Sequence, residues 1–232
     1  MRTIEHRFGD EVFASELIAA SADPRPTVIL FPTVAGISQL ELGFAQELAD
    51  AGYNAFCADL YGKQFRGCDR KTGAEQMKRL SADRGDLRKR LLAVLDTARA
   101  RGQSDGRIAA IGFCFGGLCA LDLARSGADV AGVASFHGIF DPTGLPPQRI
   151  VAKVIAFHGW DDPMVPPAKV VALAKELTRA GCDWQIHAFG GTVHGFTNAD
   201  ADKIGNPAVR YSPGATRRSW QMLEHFLEDL FA

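Results

Sequence analysis

Three residues able to do chemistry stand far apart in the chain. Cys114 lies in Gly112-Phe113-Cys114-Phe115-Gly116, Asp162 in His158-Gly159-Trp160-Asp161-Asp162-Pro163-Met164-Val165-Pro166, and His194 precedes Gly195-Phe196. A thiolate attacks carbonyl carbon, an imidazole moves protons near neutral pH, and a carboxylate fixes the imidazole tautomer and stabilises its charge. The form G-x-C-x-G between a strand and a helix is the nucleophile-elbow pattern, with cysteine where serine is commoner. The turn is sharp, and a side chain at either flanking glycine would clash. It lifts the sulfur out of the sheet and sets the Phe115 amide at a helix N-terminus, ready to donate to an oxyanion. The positive end of that helix favours thiolate. The motif alone also fits a buried, inert cysteine in a glycine-rich turn.

The order along the chain adds to this. A triad on such a fold runs nucleophile, acid, histidine. Asp162 and His194 follow Cys114 in that order, each just beyond an apolar strand. Between the adjacent acids, the HGxxDxxVP spacing selects Asp162, and Asp161 reads as a loop-solvating or turn carboxylate. Cys119, one helical turn past Cys114, reads as core. His6, His187 and His225 read as structural or solvated. His137 and His158 both precede glycine at strand ends, where they line the floor of a site or satisfy backbone groups.

The elements that must bring these groups together alternate. A hairpin over 3–8 and 11–19 turns at Gly9-Asp10. The apolar run 28–31, stopped by Pro32, suits a buried parallel strand. Ser38 opens a helix whose Leu40, Phe44, Ala45, Leu48 and Ala51 recur at helical spacing, and Gly52 closes it. A strand over 54–58 leads to Asp59-Leu60-Tyr61-Gly62. A polar loop covers 63–72, and helices broken at Gly85 run to about Arg101. Further strands are expected at 107–113, 130–136, 154–158 and 184–189. Helices follow the elbow, begin at Pro166-Pro167 to end at Gly181, and close the chain with Trp220, Leu223, Phe226, Leu227, Leu230 and Phe231 on one face. This alternation predicts an α/β fold, a mostly parallel sheet flanked by helices, with function at the carboxyl ends of its strands. Between Gly138 and Lys153 only a short loop is expected, so the site has no lid domain and takes a small substrate.

Composition bounds the classes. The chain has 232 residues, 47% hydrophobic and 23% charged. With no linker, repeat or low-complexity block, it reads as a single domain, 1–232, with a core that needs no staples. A formal net charge of −1 lacks the basic footprint of a nucleic-acid binder. No apolar run approaches the ~20 residues of a membrane span. Arg2, Glu5, His6 and Arg7 lead into a polar segment, which predicts no secretory signal. Five cysteines without a CxxC pair argue against disulfides or zinc and point to a reducing, cytoplasmic location.

Together Asp59-Leu60-Tyr61-Gly62, the cysteine elbow through Gly117, Asp162 in its HGxxDxxVP run, His194-Gly195-Phe196 and Arg217-Arg218-Ser219-Trp220 resemble the dienelactone hydrolase family of α/β-hydrolases, over nearly the whole chain. The resemblance implies an α/β-hydrolase fold, a Cys114–Asp162–His194 triad and an oxyanion hole from the Phe115 and Val34 amides. It also implies hydrolysis of a small carboxylic ester or lactone through an acyl-enzyme, without metal or cofactor. Two departures stand out. The family's lactone hydrolases carry an activating glutamate where this chain has Thr33, and Glu41 is better explained by a capping box with Ser38. They also hold the substrate carboxylate with arginines, one of them matching Asn198 here; Arg66, Arg70, Arg79 and Arg84 are the alternative cations. Tyr61, Trp160, Phe196 and Tyr211, with Thr33 and Asn198, are candidate substrate contacts. A thioesterase or broad carboxylesterase on the same site, and a non-catalytic binding protein retaining the fold, are the rivals. A nucleotide-binding Rossmann protein is disfavoured because residues 32–36 are not GxGxxG. The sequence leaves substrate identity and oligomeric state open.

Overall fold

The period-2 and period-3.6 patterns resolve into one eight-stranded sheet in the computed structural model, which describes all of residues 1–232. The strands are β1 (Arg2–Phe8), β2 (Glu11–Ile18), β3 (Arg25–Phe31), β4 (Asn54–Cys57), β5 (Ser104–Phe113), β6 (Gly132–Phe136), β7 (Lys153–Gly159) and β8 (Trp184–Phe189). Their spatial order is β1-β2-β4-β3-β5-β6-β7-β8. β1 pairs antiparallel with β2 and β2 with β4, and every other pairing is parallel. The central parallel strands β3 to β7 are buried on both faces and therefore read as near-continuous apolar runs, whereas the edge strand β8 is only partly buried.

Six helices cover the sheet: α1 (Gln39–Asp50), α2 (Arg70–Ala82), α3 (Arg84–Arg101), α4 (Phe115–Arg125), α5 (Pro167–Ala180) and α6 (Pro213–Phe231). Phe44, Ala45 and Leu48 of α1 and Leu223, Leu227 and Phe231 of α6 pack on one face. Leu80 of α2, Leu87 to Ala98 of α3, Leu118 to Ala124 of α4 and Val170 to Leu177 of α5 fill the other. No helix is long and apolar enough to cross a membrane.

The structure corrects several boundaries. The break between α2 and α3 is at Asp83, not Gly85. Asp83 ends one helix and caps the next by accepting the Asp86 amide at 2.9 Å, which leaves Gly85 inside the first turn of α3. The polar stretch 63–72 contains a 3-10 turn at Lys63–Phe65 and the start of α2, capped by Asp69. β3 and β5 begin three residues earlier than their apolar runs, because polar edge residues continue the pairing. β6 begins two residues later than expected. The closing helix starts at Pro213, a turn and more before Trp220, with Ser212 as its cap. No helix or strand lies between β6 and β7.

Candidate active site

The elbow is built as its glycines require. A Cβ on Gly112 would lie 1.9 Å from the Gly116 carbonyl oxygen, and one on Gly116 would lie 2.0 Å from that of Phe31. Both obstacles are backbone and cannot swing away, so these positions accept only glycine. Cys114 sits between β5 and α4 at φ 56°, ψ −115°, where a non-glycine side chain is strained. Its amide donates to Phe136 O at 3.0 Å, which ties the turn to β6. The thiol is half-buried, unlike Cys57 and Cys119, which are fully enclosed. Burial pushes the Cys57 and Cys119 thiols well up, as inert core residues require.

Register aligns three strand ends. Phe113 pairs with Phe136, and Phe136 with Phe157. Their rings form a row, 4.8 and 4.6 Å between centroids, on the α1–α6 face. The next residue on each strand is Cys114, His137 and His158, so all three stand at one level of the sheet's carboxyl edge.

Asp162 and His194 meet at that edge. Asp162 follows β7 in a tight turn, with its amide on Gly159 O at 3.1 Å. Its Oδ1 accepts the Met164 amide at 2.8 Å, and its Oδ2 accepts His194 Nδ1–H at 2.8 Å. His194 lies beyond β8, where its amide donates to Ala208 O and its carbonyl accepts the Arg210 amide. Asp162 is 1% and His194 4% exposed. Burial works against the charged imidazole, but the Asp162 hydrogen bond and charge, together with Cys114, outweigh it and raise its pKa from 6.5 to about 10. His194 Nε2 makes no hydrogen bond, although Cys114 is near enough to help hold its proton. Asp161 accepts the Gly191 amide at 2.6 Å and ties two loops together.

The loop after β3 approaches the elbow from the other side. The Phe115 and Val34 amides have no acceptor within the protein. Glu41, fully buried, accepts from the Thr33 amide (3.0 Å), the Ser38 amide (3.0 Å) and the Ser38 hydroxyl (2.5 Å). The capping box is therefore present, and the same carboxylate also anchors the residue before Val34. This second tie was not legible in the S-x-x-E pattern. Tyr61 Oη donates to Val34 O at 3.3 Å, and a Cβ on Gly73 would lie 2.3 Å from that oxygen. Val34 is thus gripped from three elements.

The remaining candidates divide by burial. Phe196 is fully buried against Phe189 and His137, which leaves it no surface to offer a ligand. Tyr61 is 3% exposed and stacks on Phe115. Trp160 is 43% exposed. Thr33, Asn198 and Tyr211 are half-buried. Asn198 Oδ1 accepts the Asp200 amide. Tyr211 lines an open cavity of about 470 Å³ beside Val193. Of the alternative cations, Arg66 pairs with Glu16 at 3.0 Å, Arg79 with Asp86 at 3.8 Å and Arg84 with Asp122 at 2.6 Å. No cluster of three or more His, Cys, Asp or Glu side chains is arranged to hold a metal. A cavity of about 730 Å³ lies between α3, α4 and α5 and includes none of Cys114, Asp162 and His194. Within it Arg84 and Arg125 pair with Asp122, and Arg125 also with Glu176.

Comparison with known proteins identifies the family. The model of the dienelactone hydrolase family matches residues 14–231. A solved structure described as a dienelactone hydrolase-like promiscuous phosphotriesterase from metagenomic libraries superposes with a TM-score of 0.91 at 34% identity, covering 100% of this chain and 98% of that one. An uncharacterized protein of Caenorhabditis elegans is 34% identical over 158 residues, 66% of this chain and all of its own. A carboxymethylenebutenolidase of Pseudomonas putida is 26% identical over 189 residues, covering 77% of this chain and 78% of the relative.

Proposed function

Because the chain belongs to the dienelactone hydrolase family, we propose that it hydrolyses a small carboxylic ester or lactone with Cys114 as nucleophile, His194 as base and acid, and Asp162 as the orienting carboxylate. The observation that carries this reading is the buried 2.8 Å bond from His194 Nδ1 to Asp162, with Nε2 left over beside Cys114.

The Cys114 thiolate, its proton held on His194, attacks the carbonyl carbon. The carbonyl electrons move to oxygen, and the Phe115 and Val34 amides stabilise that oxyanion, at about 3 kcal/mol per donor. As the tetrahedral intermediate collapses, His194 Nε2–H protonates the leaving alkoxide, and a thioester to Cys114 remains. His194 then takes a proton from water, the hydroxide adds to the thioester, and the thiolate departs. In a lactone the alkoxide stays tethered to the acyl group.

The substrate is neutral on this reading. Arg66 and Arg84 are paired with Glu16 and Asp122, Arg79 pairs loosely with Asp86, and Arg70, exposed at the start of α2, forms no ion pair. Asn198 stands where the family's lactone hydrolases carry an arginine. The substrate contacts proposed are Trp160, Thr33, Asn198 and Tyr211, with Tyr61 and Phe196 packed beneath. The test is p-nitrophenyl acetate cleavage, before and after iodoacetamide and in Cys114→Ala. Loss of turnover in both supports the reading, and equal rates in variant and wild type overturn it. A panel of neutral esters, carboxylate-bearing esters, thioesters and lactones then separates the substrate classes by kcat/KM. The 34% identity to the promiscuous phosphotriesterase favours a second reading, slow phosphotriester cleavage at the same sulfur, which paraoxon would reveal.

A further inference from the structure

His137 has features that neither the strand nor the core explains. It ends β6 at φ 38°, in the left-handed region where a non-glycine residue is strained. Glycine, which takes that conformation freely, is the very next residue. In the sheet His137 is the register neighbour of Cys114, the other strained strand end. Its side chain is 2% exposed. Nε2 is hydrogen-bonded to Thr197 Oγ1 at 2.8 Å, and Nδ1 has no partner. The ring stands edge-on to His194, 5.1 Å between centroids at 66°, and edge-on to Phe196, 5.2 Å at 80°. Burial, reinforced by the charge on His194, holds its pKa well below the ordinary histidine value, so it stays neutral.

From this geometry we infer that His137 is a positioning residue for His194: its imidazole backs the His194 ring and, through Thr197, ties the 194–197 loop to the end of β6 beside Cys114. The inference rests on the triad reading and deepens it. Asp162 fixes His194 at Nδ1 only, which leaves the ring free to rock about that bond. A second surface against the ring is needed to keep Nε2 directed at the sulfur. A neutral imidazole supplies that surface without placing a second positive charge beside His194. Thr197, three residues after His194, sets how close the loop sits to the sheet.

The experiment uses Thr197→Val, which keeps the side-chain shape and removes the hydroxyl, Thr197→Ser, which restores it, and His137→Phe. Three quantities are read on the full chain: kcat and KM on p-nitrophenyl acetate, the pH midpoint of Cys114 alkylation by iodoacetamide, and the melting temperature. The expected result for Thr197→Val is a fall in kcat of about tenfold, the kinetic equivalent of one buried hydrogen bond, with KM within about twofold. Its alkylation midpoint moves upward, because a displaced imidazolium stabilises the thiolate less. Thr197→Ser recovers both, and His137→Phe resembles Thr197→Val. If Thr197→Val and His137→Phe lower only the melting temperature, with kcat and the midpoint unchanged, His137 is a structural brace and the inference fails. If wild-type Cys114 alkylates like an ordinary free thiol, the triad reading itself fails and takes this inference with it.

Discussion

Asp162→Asn tests the site most directly, because the structure dictates how the new side chain must sit. Asp162 Oδ1 accepts the Met164 amide at 2.8 Å, and an asparagine keeps that bond by turning its carbonyl oxygen there. Its NH2 then faces His194 Nδ1, which in the native site donates to Oδ2 at 2.8 Å. Two donors cannot pair, so Nδ1 gives up its proton and the neutral ring carries it on Nε2, the atom that must receive the proton of Cys114. Burial, which already opposes the charged imidazole, is then opposed by Cys114 alone. The native rise from 6.5 to about 10 corresponds to about 5 kcal/mol at ~1.36 kcal/mol per pH unit. Assigning Asp162 half or more of it gives roughly 2–5 kcal/mol, a loss of about 30- to 5,000-fold in kcat. The assay is steady-state cleavage of p-nitrophenyl acetate, with the melting temperature as control. A folded variant within about threefold of wild type would show that the carboxylate does not set the tautomer, and the reasoning would be refuted.

The same pair makes stability depend on pH. His194 has a folded pKa raised above its unfolded value, so its contribution is fully present below about pH 6.5 and is lost as pH rises through about 10. The urea midpoint, as the difference between wild type and Asp162→Asn, should shrink across that window; a constant difference would count against the pairing. Glu41→Ala removes the acceptor of the Thr33 and Ser38 amides and should cost about 1–3 kcal/mol of stability, while lowering kcat with little change in KM because the Val34 amide loosens. Equal kcat in that variant would separate the loop from catalysis. Gly116→Ala should cost about 3 kcal/mol or more, because its Cβ meets two backbone oxygens, Phe31 O at 2.0 Å and Pro32 O at 2.7 Å. By contrast Gly43→Ala, in α1 with nothing within 4 Å of the new Cβ, should stabilise by roughly 0.5–1 kcal/mol. Thermal melts of the two variants should move in opposite directions.

The residues whose roles are written in local sequence were legible before any coordinates. Gly112 and Gly116 announce a turn that no other residue tolerates, and Ser38 with Glu41 announces a helix start. The alternation of apolar runs with amphipathic stretches gives the parallel sheet and places Cys114, Asp162 and His194 at strand ends. Features made by juxtaposition were not legible. Asp83 displaced Gly85 as the helix break because a side chain that caps is a stronger stop than a residue that merely weakens a helix. Phe196 looked like a substrate contact because the side chain of an aromatic beside His194 is placed by which face of the loop is buried, and sequence spacing in a loop has no period to reveal that. Glu41 satisfies its motif fully and still reaches Thr33. His137 carried one faint signal: Phe113-Cys114, Phe136-His137 and Phe157-His158 repeat an aromatic followed by a reactive side chain at successive strand ends, but only register places them in one row.

That row bears on how the proposed Cys114 chemistry can proceed with Thr33, and no carboxylate, just after β3. A second carboxylate close to the sulfur would oppose the thiolate it is meant to help form, unless it is held away or protonated. Here the anion-favouring groups are already in place without it. Cys114 opens α4, where the helix dipole favours negative charge, and His194 is held strongly basic by a carboxylate on its far side. Glu41, fully buried, is spent on the Thr33 and Ser38 amides. On the proposed mechanism that carboxylate braces the loop carrying the Val34 amide and does not stand at residue 33. Such a site depends on the ring of His194 staying in register with the sulfur, because His194 alone is held basic by a carboxylate, whereas burial holds His137 beside it neutral.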